Sequence, residues 1–281
     1  MKIKILYQAQ YSYTETVTFS PHLFRLFPKV DQNIRVHSLA FQTNPDAAVN
    51  FRRDLFDNEI ASCFYPNPSS LLAASLAIEL EIQPKNAFGF LLDRHALSIP
   101  LVYQPAEKHV LQPYLQTTAA PELPFWKTPK APQPTAETLV ELNSAIHDNL
   151  AYERRDEGEA YSPAETLRRG SGACRDFAVL LMETLRGMGL AARQASGYLC
   201  EFGDTEKVAE GALHAWVETY LPGAGWIGLD PTNGTFCDHH HITAAVGLTA
   251  ADISPMLGNY FHPARVPEQS MSATLSILPH E

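Results

Sequence analysis

The 281-residue chain predicts an α+β protein. An N-terminal antiparallel β-sandwich or barrel comes first, and a region of helices and antiparallel strands follows it. Three observations carry this. Strict alternation of apolar and polar residues marks the first part, a proline-rich break over 113–135 interrupts it, and helical spacing takes over afterwards. The expected domains are therefore a β domain at 1–112, a linker at 113–135 and a second domain at 136–281.

The first part holds several short strands. In SLAIELEI (75–82), Leu76, Ile78, Leu80 and Ile82 fall on one strand face and Ser75, Ala77, Glu79 and Glu81 on the other. Ile34 and Val36 alternate, and Leu39 and Phe41 alternate one residue out of step, which predicts a bulge near Ser38. DLFDNEI (54–60) supplies turn residues between apolar runs. Several short strands with turn signals fit a sandwich or barrel. No chemistry is visible here. The 113–135 stretch loses periodicity, and its Phe125 and Trp126 suit a linker that wraps on a surface.

Beyond the linker, Leu139, Leu142, Ile146 and Leu150 sit at helical spacing, with Thr135 as the expected N-cap. Ser162-Pro163-Ala164-Glu165 is a second helix start, with a capping serine, proline at the first helical position and glutamate three residues on. Gly170 and Gly172 end that helix. From Cys174, the apolar residues Phe177, Ala178, Leu181, Leu185 and Met188 define one face of a third helix, closed by Gly187 and Gly189.

Cys174 thus lies in the first turn of a helix. There the positive end of the helix dipole and N–H groups without helical partners favour thiolate, the reactive form, and can stabilise an oxyanion. Glycines just upstream would let a substrate backbone come close. A buried structural cysteine is the plainer alternative. Cys63, Cys200 and Cys237 are read that way.

A thiol nucleophile needs a base, and the base an orienting group. In LHAWVETYLPGAGWIGLDPTNG (213–234), His214, Trp216, Glu218 and Tyr220 alternate with Leu213, Ala215, Val217 and Leu221. PGAG turns the chain, and a second strand, from Trp226, stops at Asp230-Pro231. If Leu221 pairs with Gly225, Asp230 falls opposite Trp216 and diagonal to His214 on one face. If Leu221 pairs with Trp226, Asp230 faces the other way.

Two patterns nearby lack their context. Gly223, Gly225 and Gly228 spell G-x-G-x-x-G, but a strand follows where a dinucleotide site needs a helix. Cys237-Asp238-His239-His240-His241 is read as a polar loop, since consecutive residues are poorly spaced to converge on one metal. A nucleotide site at Gly170 and Gly172 is disfavoured, because no lysine follows them.

Composition narrows the function further. Net charge is −10 and the pI near 5.5, and no basic stripe exists, so nucleic acid is not an expected partner. No run approaches the roughly 18 apolar residues of a membrane span, and the N-terminus does not read as a signal peptide. A cytoplasmic protein without a membrane partner is expected, and its cysteines, which form no CxxC pair, are expected to be free of disulfides.

GSGACRDFA (170–178), ARQASGYL (192–199) and LHAWVETYLPGAGWIGLDPTNG together resemble the transglutaminase-like superfamily, in particular its bacterial members described as cysteine proteases. The specific likeness covers about 136–245. FSPHLFRLFPKVDQNIRVHSLAF (19–41) resembles the β region that precedes the core in those proteins, and a weaker likeness reaches the tail around GLTAADISPMLG.

The resemblance implies a papain-like core and a Cys–His–Asp triad. Cys174 would be the nucleophile, His214 the base and then acid, and Asp230 the residue that orients His214. Asp176 matches the aspartate of a C-x-D pattern, with a structural role in the helix start. Trp216 and Trp226 match aromatic positions flanking the triad strands, and Trp216, with Tyr152 and Gly172, is a candidate oxyanion or substrate contact. Ser171 and Gly172 stand near where papain-type enzymes carry an oxyanion-donating glutamine. Tyr152 stands where relatives carry an aromatic, and its hydroxyl is a second candidate donor beside the Cys174 backbone N–H.

The expected activity is hydrolysis of an amide or peptide bond through a thioester, on a peptide or protein substrate with an amide or isopeptide bond. Acyl transfer to an amine is the alternative chemistry, and a non-catalytic protein-binding module with a relic triad is the alternative class. Some animal relatives require calcium, but no clustered carboxylate loop is present here, so no metal and no cofactor is expected. Substrate identity and oligomeric state are not legible.

Overall fold

The computed structural model describes residues 1–117, 120–155, 158–200, 209–210, 213–263 and 267–279. The strand Lys2–Phe19 organises the N-terminal part. It pairs antiparallel with Ser69–Ile82 on one side and with Gln269–Pro279 on the other. Ile34–Asn44 adds to the Ser69–Ile82 edge, with the ladder slipping between Val36 and Ser38 where the phase change in the sequence predicts a bulge. Leu76, Ile78, Leu80 and Ile82 are all buried, and with Ile3, Ile5 and Tyr7 they form one apolar face.

A second antiparallel sheet runs Met256–Leu257, His22–Phe24, Glu59–Phe64, Ala48–Arg53. Its Phe24, Ala61 and Cys63 share a core with the first sheet, so the two form a sandwich-like pair. DLFDNEI is the hairpin turn of this sheet. Asp54 accepts bonds from the N–H groups of Phe56 and Asn58, and Asp57 takes a φ of 59°.

The second core is built on a five-stranded antiparallel sheet ordered Thr235–Phe236, Gly225–Asp230, Leu213–Leu221, Ala192–Leu199, His241–Gly247. The helix Cys174–Gly187 packs on its central strands through Phe177, Leu181 and Leu185, against Val217 and Leu221. The helix Thr135–Asn149 adds Leu139, Leu142 and Ile146 to the same core. The far side of the sheet shares Tyr198, Cys200, Ile242 and Ala244 with the N-terminal core, so one sheet joins the two halves.

The cores divide differently from the expected domain limits. Ala96, Ile99, Leu101, Tyr103 and Leu111, assigned from sequence to the β domain, are buried in the core of the Cys174 helix, and Pro105–Leu111 is itself a helix. The last strand, Gln269–Pro279, belongs to the N-terminal sheet instead of the second domain. The linker packs on the second core through Leu123, Phe125 and Trp126; its residues 118–119 lie outside the described ones. Pairing between chain ends leaves no trace in local periodicity, which is why the boundaries shift.

Helix starts differ in detail too. Thr135 is the first residue of its helix, and its hydroxyl donates to Ala96 O at 2.6 Å instead of capping. Ser162 caps its helix as expected, accepting from Glu165 N–H at 3.3 Å. The Glu165 carboxylate, however, turns to Arg168 and Arg169 at 2.6 Å rather than closing a capping box. Gly170 ends the helix at φ 69°, a left-handed cap that suits glycine.

Candidate active site

The hairpin takes the first of the two registers, with Leu221 opposite Gly225. Val217 pairs with Leu229, so one further step places Asp230 opposite Trp216 and diagonal to His214. The side chains meet there. His214 Nε2 lies 2.8 Å from Asp230 Oδ2, with Asp230 fully buried and His214 nearly so. Pro231 stops the strand directly after Asp230, and the carboxylate then serves two ends. Oδ1 accepts from the N–H groups of Thr232 at 2.9 Å and Asn233 at 3.3 Å, making the turn, while Oδ2 faces the imidazole. Asn143, on the helix Thr135–Asn149, ties down the backbone by donating to Asp230 O at 3.1 Å.

With Nε2 on Asp230, the other ring nitrogen of His214 is left for the thiol. The Cys174 sulfur lies beside the His214 imidazole and the Ala215 N–H, both of which favour its thiolate. Cys174 is the first residue of its helix and only partly buried. The electrostatics reinforce the pair. Burial pushes the Cys174 thiol up, but the adjoining imidazole more than offsets this and holds it below its ordinary value. Burial pushes His214 down, but its bonds to Asp230 and Cys174 carry it up to about 10. Asp230 is held far below the usual carboxylate range by His214 and a second histidine, His241, against the cost of burial. Thiolate at Cys174 and imidazolium at His214 thus each favour the other, beside a fixed carboxylate. The other cysteines are free and buried, and burial raises the pKa of each.

Asp176 builds the helix start that presents Cys174. Its Oδ2 accepts from Ala173 N–H at 2.8 Å, and its Oδ1 from Tyr161 N–H at 2.7 Å. Arg155 closes on both oxygens at 2.6 and 2.9 Å. The Arg155 guanidinium in turn stacks 3.7 Å above the Tyr161 ring.

Gly172 answers to this network, not to substrate access. A Cβ there would lie 2.9 Å from Asp176 Cβ and 3.0 Å from its Oδ2. Tyr152 pairs with Gly172 in a short parallel ladder, which brings it beside the segment that leads into Cys174, half exposed. Trp216, expected at the substrate, is 1% exposed. It stacks along His214 at 6.2 Å between ring centroids and packs with Cys237 in a small core of its own. Its contact is with the imidazole and not with solvent.

The 237–241 loop departs most from its sequence reading. Consecutive residues do converge: Asp238, His239 and His240 bring ligand-type atoms within 4.8 Å of one another. The Asp238 carboxylate is already engaged by His240 Nδ1 at 2.8 and 3.0 Å and by the His240 N–H at 2.9 Å, so the three read as a hydrogen-bonded loop. His241 was missed altogether. Its side chain is 6% exposed, and its Nε2 lies 3.2 Å from Asp230 Oδ2. The one available signal was its place at the head of the apolar run ITAAV, which makes it the start of a strand (His241–Gly247) and not part of a loop.

Residues 126–231 match the core of the transglutaminase-like superfamily, and residues 3–86 match the bacterial transglutaminase-like N-terminal region. The chain thus carries a transglutaminase-like core preceded by the N-terminal region of bacterial transglutaminase-like proteins. Its Cys174 helix, hairpin and preceding β region all fall within the two matched segments.

An uncharacterized protein of Mycobacterium tuberculosis (strain H37Rv) is 34% identical over 133 residues, covering 45% of this chain and 42% of the relative, so the likeness spans less than half of either. A protein-glutamine gamma-glutamyltransferase of Pseudomonas aeruginosa is 38% identical over 106 residues, covering 36% of this chain and 16% of that protein. Among solved structures, a Cytophaga hutchinsonii protein assigned as a cysteine protease superposes with a TM-score of 0.71 at 18% identity. That match covers 100% of this chain and 92% of the other, and it shows a shared fold.

Proposed function

We propose that this chain is a cysteine-dependent amide or peptide hydrolase. The observation that carries the reading is the buried His214–Asp230 hydrogen bond set beside the Cys174 sulfur, with Cys174 at a helix N-terminus. The Cys174 thiolate attacks an amide carbonyl. The backbone N–H of Cys174, in the first helical turn where N–H groups lack helical partners, serves as the oxyanion donor. His214 gives its proton to the departing amine, and the acyl group remains on sulfur as a thioester. Water, deprotonated by His214, then attacks the thioester and releases a carboxylic acid with the free thiol. Asp230 holds the imidazole in the tautomer that faces Cys174 and stabilises its charge.

Acyl transfer differs only in the last step, where a primary amine replaces water. The likeness to a protein-glutamine gamma-glutamyltransferase keeps that outcome in view. A single experiment separates the two: glutamine-containing peptides incubated with the protein, with and without a fluorescent primary amine, and followed by mass spectrometry. Carboxylate products whose yield is unaffected by amine support hydrolysis. Amine incorporation supports transfer, and neither product, with Cys174→Ala indistinguishable from wild type across the peptide panel, contradicts both.

A further inference from the structure

Asp230 Oδ2 is shared by three donors in a site closed to solvent: His214 Nε2 at 2.8 Å, Asn233 Nδ2 at 2.7 Å and His241 Nε2 at 3.2 Å. The tautomer of His241 is fixed from its other side. Its Nδ1 accepts from the Asp238 N–H at 3.4 Å, so Nε2 carries the proton and donates. The series therefore runs from the Asp238 backbone through His241 and Asp230 to His214, beside the Cys174 sulfur. Asp230 does not need His241 for its position, since Thr232, Asn233 and Asn143 hold the residue from other directions. What His241 takes is electron density on the one oxygen that faces His214.

We infer that His241 is a positioning residue that sets the strength of the Asp230–His214 bond, and through it the acidity of the catalytic pair, by occupying one lone-pair direction of Asp230 Oδ2. The inference rests on the catalytic reading of Cys174 and His214. A carboxylate oxygen already accepting two other donors is a weaker partner for an imidazolium than one accepting fewer. His214 must both gain a proton and give it up to a leaving amine. A carboxylate of moderated strength keeps the imidazolium a usable acid.

The charged and titratable groups that face His241 belong to three elements. Asp230 lies at the end of its strand, Asp238 in the loop with Oδ1 at 3.6 Å from Nδ1, and His214 at 6.4 Å between ring centroids. The cleft that His241 lines also carries Lys29 and Asp31, Lys85, His239 and the Arg193–Glu218 pair. None of these latter groups bonds Asp230 among the described contacts, so the effect of His241 on the pair passes through Oδ2.

The test is the pH profile of Cys174 carbamidomethylation in the full chain, read by peptide mass spectrometry. The profile has a lower step, where the thiol ionises beside the imidazolium, and an upper step, where the imidazolium is lost. In His241→Phe and His241→Asn, which remove the donor or leave it too short to reach, the bond to His214 strengthens and the steps move apart. The lower step falls by roughly half to one pH unit, up to about tenfold faster labelling at pH values beneath it, and the upper step rises. His241→Gln places an amide N–H where Nε2 stood and restores the wild-type profile.

A purely structural role predicts the opposite sign, since loosening Asp230 brings the steps together. Steps that stay put or approach each other in folded His241→Asn overturn the inference. If the wild-type thiol titrates as an ordinary cysteine and ignores His214→Ala, the catalytic reading fails and this inference falls with it.

Discussion

At the scale of single residues, Asp230 joins two functions the sequence offers as alternatives, a turn residue before proline and a partner for histidine. Both are met, one by each carboxylate oxygen. Asp230→Asn keeps the turn-forming oxygen and removes the charge. The Cys174 alkylation midpoint should then rise toward the free-thiol value of about 8.5. The same variant probes stability. Asp230 sits below its unfolded pKa, so its contribution is complete above about 4 and is lost as pH falls through the folded value. His214 sits above its unfolded pKa, so its contribution is complete below about 6.5 and drains as pH rises toward about 10. Thermal melts should therefore show the gap between wild type and Asp230→Asn widest near pH 5 to 6 and narrower at pH 10. A gap constant across that range contradicts the assignment.

At the scale of elements, the Cys174 helix depends on its start. Asp176 is fully buried and joins Ala173, Tyr161 and Arg155 at the first turn. Asp176→Ala leaves Arg155 and two N–H groups without their acceptor and should cost about 2–4 kcal/mol in urea unfolding. Gly172→Ala forces a methyl against the same carboxylate and should cost about 1–3 kcal/mol, with slower Cys174 labelling as the helix start shifts. A neutral Gly172→Ala would mean that Asp176 moves freely, against the packing described.

Much at this scale was legible in the sequence. The strand phase at 75–82, the slip near Ser38 and the caps at Ser162 and Gly170 follow from local spacing and turn chemistry, whereas the hairpin register stood open between two pairings that the structure decides. His241 was not legible, because its meaning lies in Asp230, 11 residues away, and its neighbours His239 and His240 hide it in an apparent polar run. The burial of Trp216 was likewise hidden, since alternation says which residues share a face but not whether another layer covers it.

At the scale of the whole molecule, the N-terminal sheet is completed by a strand from far along the chain. The strand Gln269–Pro279 runs along Lys2–Phe19 over 11 residue pairs, and it supplies the buried Leu275 and Ile277 to the N-terminal core. Removing residues 269–281 uncovers a long apolar-faced strand edge, a template for aggregation. The truncated chain should be lost from the soluble fraction or elute as aggregate on gel filtration. A soluble, monomeric truncation with unchanged circular dichroism would show that the N-terminal sheet stands without its last strand. This pairing, between the two ends of the sequence, is what no local pattern could announce, and it accounts for the displaced domain limits.

The central claim is that Cys174 and His214 form an activated pair. The most direct measurement is the pH dependence of Cys174 alkylation in wild type and His214→Ala. The account predicts labelling well below the free-thiol pKa of about 8.5, slowed in the variant and shifted toward ordinary thiol behaviour. A wild-type thiol that titrates near that value, with a profile unchanged by His214→Ala, would contradict it.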